Sequence, residues 1–209
     1  VGIAERLSMK VVTARRLLVA TLLTTGVVLG GSGSWIQTKA FAAQLLLKHS
    51  WQKTLEDGSV NRPWPWADHS PIARLVVPTR GIDQVVLSGD GGNVLAFAPG
   101  HNIQSAMPGQ TGTAVISGHR DTHFGFLEKL GVGEGVQIET AQGVSAYRVV
   151  DARVVDSRTT RIRLDDVGES LLLVTCYPFD ALETGGSLRY VVTAQRFHSK
   201  EINHNSIGS

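Results

Sequence analysis

Cysteine is nearly absent from this chain of 209 residues, where Cys176 stands alone. One thiol cannot form an internal disulfide, so buried apolar surface must hold the fold, and cysteine usage is silent on the redox compartment. What remains is a free thiol that is either a small buried core residue or a nucleophile. Aromatic residues are also few, at 6%, no five consecutive residues are basic, and the formal net charge is only +2. A nucleic-acid surface needs clustered Lys and Arg interleaved with aromatics, so no nucleic-acid partner is expected. Neither an internal repeat nor a low-complexity segment occurs. The hydrophobic share, 42%, suffices for one compact domain plus an appendage.

The N-terminal third carries the appendage. From Leu17 to Ile36 no residue is charged, and about 20 helical residues at roughly 1.5 Å each cover a bilayer core of about 30 Å. Arg6, Lys10, Arg15 and Arg16 precede this run, with Glu5 opposing them. Positive flanks stay in the cytoplasm. The expected layout is a cytoplasmic stretch at 1–16, a transmembrane anchor at 17–36 in contact with membrane lipid, and everything after it outside. Two other readings stay open. Ala40-Phe41-Ala42 has the small-x-small form of a signal peptidase site, although the apolar run exceeds the usual length of a cleaved segment. A buried soluble helix is the third reading, and Gly26, Gly30, Gly31 and Gly33 make it a poor helix outside lipid.

Residues 37–70 read as a juxtamembrane helix and a linker. Between Lys39 and Leu55 the apolar positions Leu45, Leu46, Leu47, Trp51 and Leu55 alternate with Lys48, His49, Gln52 and Lys53. This amphipathic pattern could rest on a membrane surface or pack against a following domain. Asp57-Gly58, Asn61, Pro63 and Pro65 then break the helix. Trp64 and Trp66 suit either a lipid interface or the outside of the domain.

Past Pro71 short β-branched segments follow one another: 72–77, 84–88, 112–117, 135–140, 146–156, 171–176 and 188–196, with glycine-rich turns between them. The fold class is mainly β and mostly antiparallel. Spacing alone does not separate a barrel from a sandwich. Short helices are expected around 93–97 and 124–130, and a frayed polar tail at 199–209.

Three of these segments place chemistry at their ends. Leu171-Leu172-Leu173-Val174-Thr175-Cys176 stops at Tyr177-Pro178, Thr113 to Gly118 closes on His119, and Arg189 opens the last strand. A thiol needs conversion to the thiolate to attack, and a nearby imidazolium can stabilise that form. His119 can pass a proton to a leaving amine and take one from an incoming amine. Arg189 stays protonated at any working pH, so its role is electrostatic, toward an oxyanion or a substrate carbonyl; the plain alternative is an ion pair with Asp180 or Glu183. Asp121 could steer the imidazole or simply form a turn. His119 and His123 have the spacing of a metal pair, but Arg120 occupies the place of the glutamate that zinc peptidases need. Gly131-Val132-Gly133-Glu134-Gly135 precedes a strand and reads as a turn rather than a dinucleotide loop. No cofactor and no metal are expected.

The block from Ile116-Ser117-Gly118-His119-Arg120-Asp121-Thr122 through Leu173-Val174-Thr175-Cys176 to Arg189 resembles the sortases, cysteine transpeptidases that move surface proteins to a new amine acceptor. The resemblance spans roughly Pro71 to Arg196, and Trp64-Pro65-Trp66-Ala67-Asp68 with Cys176-Tyr177-Pro178-Phe179-Asp180 is similar to the Gram-negative branch. Leu172 stands where the family often has threonine. The resemblance implies a closed sortase-like β-barrel at 71–198, with His119, Cys176 and Arg189 as catalytic residues. It further implies cleavage of an LPxTG-like motif in a secreted substrate protein, a thioacyl intermediate on Cys176, an amine acceptor, and an inner-membrane site of action facing the periplasm. The alternatives are an L,D-transpeptidase-like cell-wall enzyme, whose Ser-His-Gly-Cys-type run Val174-Thr175-Cys176-Tyr177 does not match, and a non-catalytic tethered β-domain that binds a partner.

Overall fold

The computed structural model describes residues 2–162, 164, 168–181 and 185–197, apart from the side chains of 3–14, 27–37 and 40. The polar tail expected at 199–209 lies outside the described residues. The chain divides into two units, Val1–Gln44 and Leu45–Ser209.

The first unit is helical. Helix α1 (Ile3–Asp57) is continuous through the positions where the sequence suggests separate anchor and juxtamembrane helices, and its glycines do not interrupt it. Leu17, Leu18, Val19, Leu22 and Leu23 are all exposed. Among the described residues no helix is long and apolar enough to cross a membrane; the side chains of 27–37, where the uncharged run continues, are outside the description.

The second unit begins with the last turns of α1. Leu47 and Trp51 are buried with Val85, Leu87, Val94 and Ala98, so this amphipathic stretch packs on the β domain. Gly58, at φ +67°, ends the helix by donating its N–H to the Thr54 carbonyl at 3.1 Å, a left-handed cap that a side chain would strain. The two tryptophans of the linker then part ways. Trp64 packs edge-on against His69 and Phe97, with centroids 5.6 and 5.2 Å apart, whereas Trp66 is 79% exposed.

Eight strands among the described residues form a closed barrel in the order β1-β2-β3-β4-β7-β8-β6-β5. They are β1 (Pro71–Val77), β2 (Ile82–Ser88), β3 (Gly100–His101), β4 (Gly112–Ser117), β5 (Gly135–Thr140), β6 (Gly143–Asp156), β7 (Glu169–Cys176) and β8 (Leu188–Arg196). A short helix α2 (Gly92–Leu95) and 3-10 turns at Pro78–Arg80 and Gly125–Lys129 interrupt them. Each strand has two neighbours, although β3 covers only Leu87 and Ser88 of β2 and Ile116 and Ser117 of β4. Strand β3 has only two residues, too few for any period to be read from sequence. Two pairs, β2 with β3 and β4 with β7, are parallel.

The barrel interior is filled from alternate positions of each strand, including Leu75, Val86, Ile116, Ile138, Leu171 and Val192. Tyr147 is also buried there; its phenol oxygen accepts a hydrogen bond from the Gly109 N–H at 2.7 Å, and burial raises its pKa. Strand β7 departs from strict alternation because both of its faces are covered. Leu171 and Leu173 point inward, while Leu172 and Val174 join Val115, Val155, Val191 and Leu164 in a second cluster outside. A continuous apolar run is what a strand buried on both faces requires.

Candidate active site

Period-two alternation puts Cys176 on the same outward face of β7 as Leu172 and Val174. Its cross-strand partner in the β7–β8 ladder is Arg189, and residues directly opposite share a face with Cβ atoms about 5 Å apart. The antiparallel register thus makes neighbours of a thiol and a guanidinium that are thirteen positions apart in the chain. Cys176 is half-buried, accessible enough to react yet backed by the barrel.

His119 arrives from the parallel neighbour. Strands β4 and β7 end together, with Ser117 beside Val174, and two further bonds extend the pairing. The Gly118 N–H donates to the Val174 carbonyl at 3.1 Å, and the Thr175 hydroxyl donates to the Gly118 carbonyl at 2.7 Å. The chain then turns back, with the Phe124 N–H donating to the His119 carbonyl at 2.9 Å. Gly118 is obligatory at this turn, since a Cβ there would sit 2.6 Å from the Phe124 ring, and Phe124 is fully buried. His119 itself is exposed, on a turn rather than a helix.

His119, Cys176 and Arg189 line one cavity of about 410 Å³, together with Arg120, Tyr177 and Pro178. The Tyr177–Pro178 peptide is cis. Arg189 makes no ion pair among the described residues: its Nη1 donates to the carbonyls of Gly186 at 2.6 Å and Leu188 at 2.8 Å. The candidate partner Glu183 lies outside the described residues. Asp121 serves Arg120, accepting a hydrogen bond from its Nε at 3.1 Å. His123 is half-buried, and burial, then the charge of His119, lowers its pKa. No group of three His, Cys, Asp or Glu able to hold a metal occurs among the described residues. The Gly131–Glu134 segment is a turn closed by the Glu134 N–H on the Gly131 carbonyl at 3.2 Å, with Gly133 at φ +91°.

Sequence reading missed Arg120. The sequence places it in the block that resembles the sortases and as a misfit in a zinc motif, with no role of its own, whereas its side chain is 6% exposed and reaches the loop after Cys176. The sequence signal available was adjacency to His119; burial of a charge at a turn has no periodicity to betray it. A second cavity of about 330 Å³, on the outer face beside Thr113, Leu172, Val191 and Ile162, was also not foreseen, because its walls come from four separate segments.

A closed barrel that gathers a strand-end thiol, a histidine turn and an arginine around one cavity defines the class of protein. The sortase domain family matches residues 75–197, and the chain belongs to that family. Sortase D of Bacillus subtilis (strain 168) is 31% identical over 123 residues, a stretch that makes up 58% of this chain and 62% of that protein. The chain therefore spans less than two-thirds of that relative's length. Among solved structures, a Clostridium perfringens sortase D5 transpeptidase has a TM-score of 0.61 at 22% identity, over 75% of this chain and 99% of its own, a likeness of fold. Sortase A from Corynebacterium diphtheriae has a TM-score of 0.57 at 28% identity, over 64% of this chain and 63% of its own.

Proposed function

We propose that this chain is a membrane-anchored cysteine transpeptidase of the Gram-negative sortase branch, acting at the inner membrane with its barrel facing the periplasm. The reaction has two halves. The Cys176 thiolate attacks the carbonyl of a scissile peptide bond in a sorting motif, and Arg189 donates toward the developing oxyanion or the substrate backbone. As the C–N bond breaks, His119 protonates the departing amine and the acyl group stays on sulfur as a thioester. An incoming amine then gives its proton to His119 and attacks the thioester, which forms a new amide and regenerates the thiolate. No redox partner or metal is needed for this balance.

The observation that carries the reading is the pairing of Cys176 with Arg189 across β7 and β8 at the cavity that His119 also lines. The outer-face cavity supports a peptide substrate, since Leu172 and Val191 in its wall share the face of Cys176 and Arg189. An extended peptide advances about 3.3 Å per residue, so a sorting motif of a few residues can follow these strands to the thiol. The substrate is then a secreted protein with a C-terminal LPxTG-like motif, and the acceptor is a primary amine. Support for the anchor at 17–36 and its orientation is the uncharged run behind Arg6, Lys10, Arg15 and Arg16. The Gram-negative assignment rests on Trp64 to Asp68 and Cys176 to Asp180.

Incubation of the protein with an LPxTG-like peptide and a small primary amine tests the reaction. Mass spectrometry should detect the peptide–amine product and, without amine, a thioester on Cys176 that hydroxylamine releases. A protein that cleaves nothing across a set of such motifs, or whose adduct maps elsewhere, overturns the proposal. Intact mass from the membrane fraction tests the anchor, and a chain starting at Ala43 would replace it with a cleaved signal peptide.

A further inference from the structure

Arg120 follows His119 directly and lines the Cys176 cavity, yet its side chain is only 6% exposed. Burying an unpaired guanidinium is strongly unfavourable, and here three acceptors among the described residues meet it. Nη1 donates to the Pro178 carbonyl at 2.5 Å, Nη2 to the Ala181 carbonyl at 2.6 Å, and Nε to the Asp121 carboxylate at 3.1 Å. Pro178 and Ala181 belong to the segment that leaves Cys176, whereas Asp121 belongs to the turn that leaves His119. One planar fork therefore ties together the two backbone segments that bear the thiol and the imidazole. Those segments are otherwise joined on the strand side, through Thr175 and Gly118. Among the described residues these donors meet backbone carbonyls and Asp121, whereas Arg189 pairs directly across from Cys176.

Resting on the transpeptidase reading above, we propose that Arg120 is a positioning residue of the acyl-transfer reaction. It fastens the loop after Cys176 to the His119 turn, so that thiol and imidazole keep their separation while substrate enters and the amine leaves. Arginine is required because two carbonyls and a carboxylate must be met at once; the ammonium of lysine is a compact point charge on a flexible stem and lacks the planar fork. Catalytic geometry is sensitive to this kind of anchoring, since a displacement of about 1 Å can cost about 10²-fold in rate.

The test compares Arg120→Lys and Arg120→Gln with the wild type in the full chain, by hydrogen–deuterium exchange and by steady-state cleavage of an LPxTG-like peptide. Exchange should accelerate in peptides covering 177–181 and 119–123 while the strands β1, β5 and β6 keep wild-type protection. Turnover should fall about tenfold or more with KM changed by less than about threefold, the split of a group that orders the reacting atoms without binding substrate. Wild-type turnover and exchange in both variants would overturn the proposal. So would exchange that rises uniformly over the barrel, the signature of a residue serving the fold alone. A wild-type protein that cleaves nothing would instead remove the transpeptidase reading, and the exchange data would still report whether Arg120 fastens the loop.

Discussion

Arg74 and Arg80 on one side of the barrel and Arg189 on the other are used in opposite ways, even though Arg196 on β8 is paired with Glu169 on β7 at 2.6 Å. On the β1–β2–β5 side, Arg74 is held by Asp83 at 2.7 Å and Glu139 at 3.2 Å, and Arg80 by Glu134 at 2.5 Å. On the β4–β7–β8 side, Arg189 has no carboxylate partner among the described residues and stands at a cavity beside a thiol and an imidazole. A charge already matched by opposite charge within the protein has little left to offer a ligand. A charge held by neutral carbonyls keeps its field, and its remaining donors can meet a developing negative charge. Arg189 and the paired Arg74 and Arg80 should therefore respond differently to mutation, the first in activity and the others in stability.

The sharpest separation is Cys176→Ala. It should abolish acyl transfer, because no other thiol exists in the chain, while the melting temperature stays near wild type since the residue is only half-buried. Mass spectrometry of a peptide–amine mixture and a thermal melt read the two halves. Cleavage at the wild-type rate would dissolve the contrast altogether.

Next in size is Arg189→Lys, expected to lower turnover by about 10²-fold, the scale of one lost oxyanion donor. A surface ion pair would predict a loss within about 1 kcal/mol, or several-fold at most. Steady-state kinetics on a fluorogenic motif peptide distinguish the two. Near-wild-type turnover would place Arg189 with Arg74 and Arg80 and leave the oxyanion to backbone amides.

Arg74→Ala should reverse the pattern, with turnover unchanged and stability lowered by about 1 kcal/mol. Its bonds to Asp83 and Glu139 raise its pKa, but the side chain is 40% exposed, so water and salt screen most of the attraction. Urea denaturation gives the stability and peptide cleavage the activity. A loss of turnover comparable to that of Arg189→Lys would mean that the two sides are coupled through the barrel.

Much of the fold around these residues is legible in the sequence, and the reasons are local. Seven of the eight strands follow from β-branched runs between glycine turns, and β7 stands out because Leu171-Leu172-Leu173 leaves no polar face. The strand end at Cys176 and the turn at His119 are legible because an apolar run stops at or just before each. Closure of the sheet is not legible, since it depends on the parallel pairing of β4 with β7, which brings together residues more than fifty positions apart. Nor is β3, whose two residues pair with β2 and β4 through position alone. The amphipathic stretch after Lys39 fitted a membrane or a domain equally well from sequence; burial of Leu47 and Trp51 against Val85 and Leu87 settles it for those residues. Arg120 and Arg74 look alike as letters, and only burial separates them, the first inside a loop junction and the second on a sheet surface.

The smallest expected effect is one of pH, at Glu134. Its carboxylate accepts from Arg80 Nη2 at 2.5 Å and Nε at 3.1 Å, from the Gly131 N–H at 2.8 Å and from the Thr79 hydroxyl at 2.7 Å. Arg80 first, then the Gly131 amide and Thr79, lower its pKa to about 2. A depressed carboxylate stabilises the fold fully above its unfolded value, about 4.3, and loses that contribution as pH falls toward the folded value. Glu134→Gln should therefore melt slightly below wild type at pH 7, and the gap should narrow as pH falls from about 5 toward 2. Because the pair is at the surface, added salt should narrow the gap as well. Turnover at neutral pH should be unchanged, which marks Glu134 as belonging to the paired side of the barrel. Melting curves of both proteins across this range decide the matter. A gap that stays unchanged down to about pH 2 would assign the stabilisation to contacts that do not depend on ionisation and that glutamine cannot make, and the ion pair with Arg80 would then contribute little.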